Sequence, residues 1–472
     1  MRAIKEAQVY ENLEITAMAS DGKGIGRVEN MVVFVEHTIT GDIVDARVTK
    51  KKSGFREAKP IHFHQKSSLR REPICAHFGV CGGCKWQSLG YEHQLNYKHQ
   101  QVTDALRRIA KVEFPEPARI LAAPDEYRYR NKLEYTFSDS SWLTDEEISS
   151  GADYSDRDAL GFHIPGRFDK ILDVKTCHLQ AELGNDIRLF IRREAKKLHI
   201  PFFNLRTQEG NVRTLLVRNN QVGEWMLCLS VTEFNDEVKT LMEKIKNEFH
   251  QIKSLYYAVN TKRNDTLTDI EPIVFHGEPW IVEKMEDLSF RIHPKSFYQT
   301  NSKQAYELYK KTRDFADIKD GELVYDLYTG TGTIALFIAK KASKVIGVEY
   351  VEEAVRDAVE NAKMNGIENT QFFAGDMKDI LVEGFFTTHG KPDVIITDPP
   401  RAGMHEQVTL RILESGAKRI VYVSCNPATQ ARDLAILDSK YRITEVQPVD
   451  MFPQTTHVEN IVKLELRDGR ES

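Results

Sequence analysis

The spacing of hydrophobic positions changes character twice along this chain. Residues 13–18, 31–35 and 42–48 are short runs rich in β-branched and apolar residues, the pattern of half-buried strands. Between the first two lies the glycine-rich Asp21-Gly-Lys-Gly-Ile-Gly-Arg27, which reads as a turn. Short strands at such close spacing predict a small barrel over residues 1–66. Residues 67–284 are mixed. A helix is predicted over 91–110, with Leu95, Val102, Leu106 and Ile109 near one face, and a second over 179–198. The acidic, serine-rich stretch 138–158 reads as an exposed insertion. From 285 to 472 strands alternate with helices: strands at 322–327, 344–349, 371–374, 393–397 and 419–424, with a helix at 333–342. Another helix carries Val355, Ala358, Val359 and Ala362 on one face and stops at Gly366. The end reads as an antiparallel hairpin, 441–449 with 460–466, and Glu459 opens its second strand. The predicted class is α/β, a doubly wound parallel sheet preceded by a barrel and a mixed central region.

Composition sharpens this. A chain of 472 residues suggests two or three domains, and 41% hydrophobic with 29% charged residues is that of a soluble globular protein. No apolar run approaches the roughly 18 residues of a membrane span. The start, Met1-Arg-Ala-Ile-Lys-Glu-Ala-Gln8, lacks the apolar core of a secretory signal. A cytoplasmic location is expected, with no membrane partner and no obligate protein partner evident. The net charge of −5 argues against coating nucleic acid by bulk charge. A local exception runs from 47 to 71, where nine Lys or Arg face a single acid, Glu57. By itself such a run is more often a solvated face than a nucleic-acid groove.

The chemistry concentrates near the carboxy terminus. Asp398-Pro-Pro-Arg-Ala-Gly403 and Ser424-Cys425-Asn-Pro-Ala-Thr429 each end an apolar run short enough to be a buried strand. In an open parallel sheet the loops after strands share one edge, where ligands bind. Cys425 is therefore expected beside whatever Asp398 holds. On the same edge, Asp326-Leu-Tyr-Thr-Gly-Thr-Gly-Thr333 follows the first strand. It lacks the Lys-Ser/Thr of a phosphate-binding loop and the full dinucleotide fingerprint. Gly330 lets the backbone approach a ligand, Glu349 at the end of the second strand can accept from both ribose hydroxyls, and Asp376 can hold an adenine amino group. Ribose recognition without a phosphate clamp suits S-adenosylmethionine better than NAD or ATP.

Six cysteines occur: 75, 81, 84, 177, 228 and 425. A reducing compartment argues against disulfides. Cys75, Cys81 and Cys84 form a compact set with Cys177 downstream, and four soft thiolates suit zinc or an iron–sulfur cluster. Cys228, in Trp225-Met-Leu-Cys-Leu229, reads as a core residue.

As a whole, the segment from Asp398 to Thr429 resembles the signature of the RNA uracil-5-methyltransferases. Ser296-Phe-Tyr-Gln-Thr-Asn301 and Phe452-Pro-Gln-Thr-Thr-His-Val-Glu459 resemble further segments of that family, although Met451 stands where leucine is more usual. The resemblance implies a Rossmann-like methyltransferase domain at 285–472. It also implies a TRAM barrel at 1–66 that binds RNA through Lys50, Lys51, Lys52 and Arg56. In between, 67–284 resembles a domain with a 4Fe–4S site on Cys75, Cys81, Cys84 and Cys177, as in the 23S ribosomal RNA enzymes. Gln299 and Tyr328 would contact S-adenosylmethionine, Asp398 the cofactor or the base, and Arg401 either phosphate or its own loop. Carbon 5 of uracil is a poor nucleophile until a thiolate adds to carbon 6. Cys425 is expected to be that thiolate. The carbon 5 proton must then leave, and the resemblance assigns its removal to Glu459. The expected partner is 23S ribosomal RNA. Three alternatives stay open: a transfer RNA uracil-5-methyltransferase, an amino-methyltransferase acting on a purine, and a non-catalytic iron–sulfur RNA-binding protein on the same fold.

Overall fold

A computed structural model describes residues 8–467; the reading of residues 1–7 lies outside the described residues. Strands β1 (Val9–Met18), β2 (Gly24–Val28), β3 (Met31–Val35), β4 (Ile43–Lys51) and β5 (Phe55–Gln65) form a closed barrel in the order β1-β2-β3-β5-β4. Leu13, Ile15, Val33, Val35, Val44, Ala46 and Ala58 fill it. The glycine-rich stretch expected to be only a turn supplies β2. A Cβ at Gly24 would stand 2.6 Å from Ile15 Cγ2, and one at Gly26 2.8 Å from Leu13 Cδ1. These glycines permit close strand approach, so sequence alone mistakes crowding for a turn.

Helix α1 (Tyr91–Ala105) continues as a π-helical turn, Leu106–Ala110. Its wider winding shifts the phase of the last turn, so Val102 and Leu106 are buried while Ile109, expected on the same face, is exposed. Next come β6 (Lys132–Ser138), α2 (Asp145–Ser149), β7 (Ala159–Ile164), β8 (Arg167–Asp173), α3 (Glu182–Lys197), β9 (Val212–Asn219), β10 (Trp225–Val231), α4 (Asp236–Glu248), β11 (Ile252–Val259) and β12 (Ile273–Gly277). They build a sheet ordered β12-β11-β10-β9-β6-β7-β8, against which α3 and α4 bury Ile187, Ile191, Leu241 and Ile245. Cys228 on β10 is buried there, as expected.

The hairpin β13 (Ile281–Met285) and β14 (Leu288–Ile292) leads into α5 (Ser302–Ala316). After it run β15 (Leu323–Leu327), α6 (Thr333–Ala339), β16 (Lys344–Glu349), α7 (Glu352–Met364), β17 (Thr370–Ala374), α8 (Met377–Ile380), α9 (Glu383–His389) and β18 (Val394–Thr397). The chain ends with α10 (Glu406–Ser415), β19 (Arg419–Ser424), α11 (Pro427–Leu437), β20 (Tyr441–Val449) and β21 (Glu459–Leu466). The sheet order is β17-β16-β15-β18-β19-β21-β20, parallel except for β21. Its strands read as continuous apolar runs because both faces are covered. Val324, Val345, Ile396 and Val421 enter one core, and Tyr325, Ile346, Ile395 and Ile420 the other. Val102 and Leu106 join the second core, so the 91–110 helix, assigned by sequence to the central segment, packs on the carboxy-terminal sheet. The hairpin around 285 joins the first core in the same way. Among the described residues, no helix is long and apolar enough to cross a membrane.

One buried ion pair fastens α1 to the loop between β20 and β21. Lys98 Nζ lies 2.6 Å from Asp450 Oδ1, with both side chains fully buried. The same ammonium donates to Phe452 O at 3.0 Å, and Tyr91 OH donates to Asp450 Oδ2 at 2.8 Å. Removing one partner strands the other charge away from water. Lys98→Met is expected to lower the denaturant stability of the carboxy-terminal region by roughly 3–5 kcal/mol. A loss below about 1 kcal/mol, the range of exposed pairs, would contradict that placement.

Candidate active site

The turn after β15 places Tyr328, Gly330 and Gly332 at φ of 63°, 54° and 80°. A Cβ at Gly332 would meet Ala358 Cβ at 3.0 Å, whereas nothing lies near Gly330, so only backbone conformation demands glycine there. Tyr328 N–H donates to Val348 O at 2.9 Å, which pins the turn to β16. Glu349, half-buried at the end of β16, accepts from Gly330 N–H and from Val351 N–H, each at 3.0 Å. Two backbone donors fix this carboxylate beside the glycine turn, where the sequence reading puts ribose hydroxyls. Asp376 is engaged otherwise. It caps α8 through Lys378 N–H at 3.1 Å and meets Lys378 Nζ at 2.8 Å, and the lysine holds its carboxyl below the usual range. Gln299 is buried, and its carbonyl accepts from Asn131 Nδ2 at 2.9 Å. Thr331 Oγ1 donates to Phe297 O at 3.4 Å, and Asn301 Nδ2 to Met451 O at 2.9 Å. The segment around Gln299 therefore bridges the glycine turn and the β20–β21 loop.

The reactive side chains gather at the same sheet edge. Asp398 follows β18, Cys425 follows β19, and Glu459 opens β21 paired with Val449. Arg401 O accepts from Asn426 Nδ2 at 3.1 Å and from Thr429 Oγ1 at 3.3 Å, which joins the Asp398 loop to the Cys425 loop. Gln430 Nε2 donates to Asn460 O at 3.2 Å and Asn460 Nδ2 returns a bond to Gln430 Oε1 at 2.8 Å, locking α11 onto β21 beside Glu459. Burial raises the Glu459 carboxyl to about 8, with the Asp398 charge adding to it. Asp398 rises to about 7 through burial and the charge of Asp326. Burial, then Glu459 and Asp398, push the Cys425 thiol to about 11, while Arg401 pulls it down. Cys425, Asp398 and Glu459 thus feel one another across a desolvated site. Sequence reasoning assigned no role to Asp326. It is buried, bonded by Thr329 Oγ1 at 2.5 Å, and raised to about 7 by burial. The signal for it was an acid ending an apolar strand.

The four cysteines expected to bind metal line one cavity of about 990 Å³, which also reaches Thr300 beside Gln299. Burial raises Cys81 to about 11 and Cys84 to about 12, with smaller repulsions from Cys177 and Cys75. Among the described residues, no three His, Cys, Asp or Glu side chains gather closely enough to hold a single metal ion. On the barrel, Lys51 and Lys52 are exposed and, among the described residues, have no ion-pair partner. Lys50 Nζ pairs with Glu57 Oε1 at 3.2 Å across the strands. Arg56 is turned onto the carbonyls of Lys52 and Phe55, the latter at 3.0 Å, and so fastens its own turn.

Comparison with known proteins bears on the two regions that carry these residues. The family model described as tRNA (Uracil-5-)-methyltransferase matches residues 281–467, and the TRAM domain model matches residues 9–61. An uncharacterized RNA methyltransferase of Bacteroides thetaiotaomicron is 52% identical over 95% of this chain and 100% of its own. One of Porphyromonas gingivalis is 53% identical over 96% of this chain and 99% of its own. Among solved structures, the tRNA (uracil-54, C5)-methyltransferase of Pyrococcus abyssi, in complex with S-adenosyl-L-homocysteine, aligns with a TM-score of 0.75 at 28% identity. It covers 96% of this chain and 100% of that one.

Two outcomes follow from the geometry. Alkylation of Cys425, followed on its peptide by mass spectrometry, should accelerate with pH beyond 9 towards about 11. Arg401→Gln should slow it at every pH below that, since a cation favouring the thiolate is gone; an unchanged profile would contradict that influence. Replacing Lys51 and Lys52 with alanine should flatten the salt dependence of RNA affinity by roughly 0.7–0.9 in slope per residue. Lys50→Ala should change it less, because Glu57 already neutralises that charge.

Proposed function

This chain belongs to the S-adenosylmethionine-dependent RNA (uracil-5-)-methyltransferase family, and from that premise we propose that it methylates carbon 5 of a uridine in 23S ribosomal RNA. The observation that carries the chemistry is the convergence of Cys425, Glu459 and Asp398 on one sheet edge, next to Glu349 and the glycine turn. The Cys425 thiolate adds to carbon 6, and the displaced electron pair moves onto the carbon 4 oxygen. Carbon 5 then attacks the methyl group, forming a carbon–carbon bond as the sulfonium bond breaks and S-adenosylhomocysteine leaves. Glu459 takes the carbon 5 proton, the carbon 6–sulfur bond breaks, and the thiolate returns. Gln299, Tyr328, Gly330, Glu349 and Asp398 would bind the cofactor and orient the ring, and Asp376 would join them through the carboxylate lone pairs that Lys378 leaves open. Arg401 keeps the thiolate accessible. Lys50, Lys51 and Lys52 would form the RNA-facing edge of the barrel, with Arg56 holding the turn that carries them.

Cys75, Cys81, Cys84 and Cys177 would hold a 4Fe–4S cluster. Four half-buried thiols around one cavity supply the soft donors it needs. When bound, the cluster would tie the 75–84 segment to Cys177. Purified without oxygen, the protein should contain about four iron atoms per chain; zinc without iron would overturn this.

The resemblance of the four-cysteine set to that of the 23S ribosomal RNA enzymes favours ribosomal RNA. A second reading, transfer RNA, has its own support, since the solved neighbour with that printed substrate spans nearly the whole chain. Mass spectrometry of 5-methyluridine in both RNAs, from cells with and without the gene, separates them. Loss confined to transfer RNA would overturn the ribosomal assignment. For the chemistry, Cys425→Ala should abolish methylation while S-adenosylmethionine still binds. Glu459→Gln should methylate once and leave RNA covalently joined to Cys425, seen as a slow band on a denaturing gel. Normal turnover by either variant would contradict its assigned role.

A further inference from the structure

The loop at residues 450–458 joins β20 to β21 and delivers Glu459 to the site. Its middle residue, Gln454, is fully buried and held at φ 68°, a left-handed conformation that L residues rarely adopt. Strain of this kind persists only where the surroundings over-determine it. Here they do, and none of the partners belongs to the sheet. Gln454 O accepts from Lys85 N–H at 2.8 Å and from Trp86 N–H at 3.1 Å. Gln454 N–H donates to Gln94 Oε1 at 2.9 Å, and Gln94 Nε2 donates back to Gln454 Oε1 at 3.0 Å. The same Oε1 accepts from Arg71 Nη2 at 2.9 Å, while Gln454 Nε2 donates to Glu126 Oε2 at 3.1 Å.

Lys85 and Trp86 directly follow Cys84 in the chain. Gln94 Nε2 also holds the carbonyls of Trp86, at 3.0 Å, and Leu89, at 2.9 Å. At the head of the segment, Cys75 N–H donates to Gln87 Oε1 at 3.2 Å. Both ends of the 75–87 segment are thus tied together, and its tail is tied to Gln454. Tyr129 OH adds a bond to Pro453 O at 2.9 Å.

We propose that Gln454 is the positioning residue for Glu459, and that it works by fastening the Glu459 loop to the cysteine-bearing segment 75–86. The order of the cysteine segment then governs removal of the carbon 5 proton, whereas cofactor binding on β15 and β16 meets this loop at Met451, three residues before Gln454, through Asn301. This rests on the reading of Glu459 as the base. It assigns the cysteine segment a mechanical role in the second half of the reaction.

Gln454→Met keeps the side-chain length and deletes the side-chain bonds to Gln94, Arg71 and Glu126, leaving the backbone bonds to Lys85, Trp86 and Gln94 in place. Three readouts are expected from it. Affinity for S-adenosylhomocysteine should stay within about two-fold of the parent protein, because Glu349 and the glycine turn are untouched. Covalent protein–RNA adduct should accumulate at least about ten-fold above the parent. The pH midpoint for adduct decay should fall, since a loosened loop admits water to the carboxyl. Loss of S-adenosylhomocysteine binding without adduct would mean a merely structural role and overturn the proposal. If Gln454→Met is insoluble, Gln94→Met removes both of its bonds to Gln454 and those to the Trp86 and Leu89 carbonyls, and is judged by the same readouts. Hydrogen exchange supplies a measure independent of activity. In Cys84→Ser, amides of residues 450–458 should exchange faster while those of β16 are unchanged. Equal exchange in parent and variant would overturn the coupling. If Glu459→Gln itself forms no adduct, the base reading fails; if it does and Gln454→Met does not, only the present proposal fails.

Discussion

Carboxyl groups kept from water at the end of strands are the constraint on which this site depends. Asp326 and Glu459 are almost wholly buried, and Asp398 lies in the field of both. An isolated carboxylate in such a place shifts its pKa rather than bear the desolvation cost. The result is a carboxyl at about 8 next to a thiol at about 11, each raised partly by its neighbours. A general base works best with a pKa near the working pH, and burial brings Glu459 there. The electrostatics that look unfavourable for folding are those that suit a proton acceptor acting late in a reaction.

Keeping water out requires the surrounding loops to be over-determined. The Asp398 and Cys425 loops share the carbonyl of Arg401 as an anchor. The Glu459 loop is held from the opposite side by Lys98, Gln94 and the backbone after Cys84. Three stretches distant in sequence, the cysteine segment, α1 and the final hairpin, therefore act as one support. The Gln299 segment completes it by linking Met451 to the glycine turn.

The alternation of strands and helices after 285, the antiparallel last strand and the barrel were legible in the sequence because each buries a face with its own period. Cys425, Asp398 and Glu349 were legible because strand ends of a parallel sheet share an edge. What was hidden depends on contacts between distant segments. Gly24 and Gly26 look like turn residues until Ile15 and Leu13 are seen pressing on them. Ile109 leaves its expected face because its own turn is π-wound. Arg56 and Asp376 carry the right charge for ligands but are bound by neighbours in their own turns. Lys98, Asp450 and Gln454 give no signal in one dimension, since their partners lie hundreds of residues away.

The central claim is that a buried Glu459 removes the carbon 5 proton after methyl transfer. The most direct measurement is the decay of preformed Cys425–RNA adduct after a jump to a series of pH values. Raising the pH through about 8 converts the acid to its basic form, so decay should speed up with a midpoint there. A rate independent of pH, or one that falls as pH rises, would contradict it.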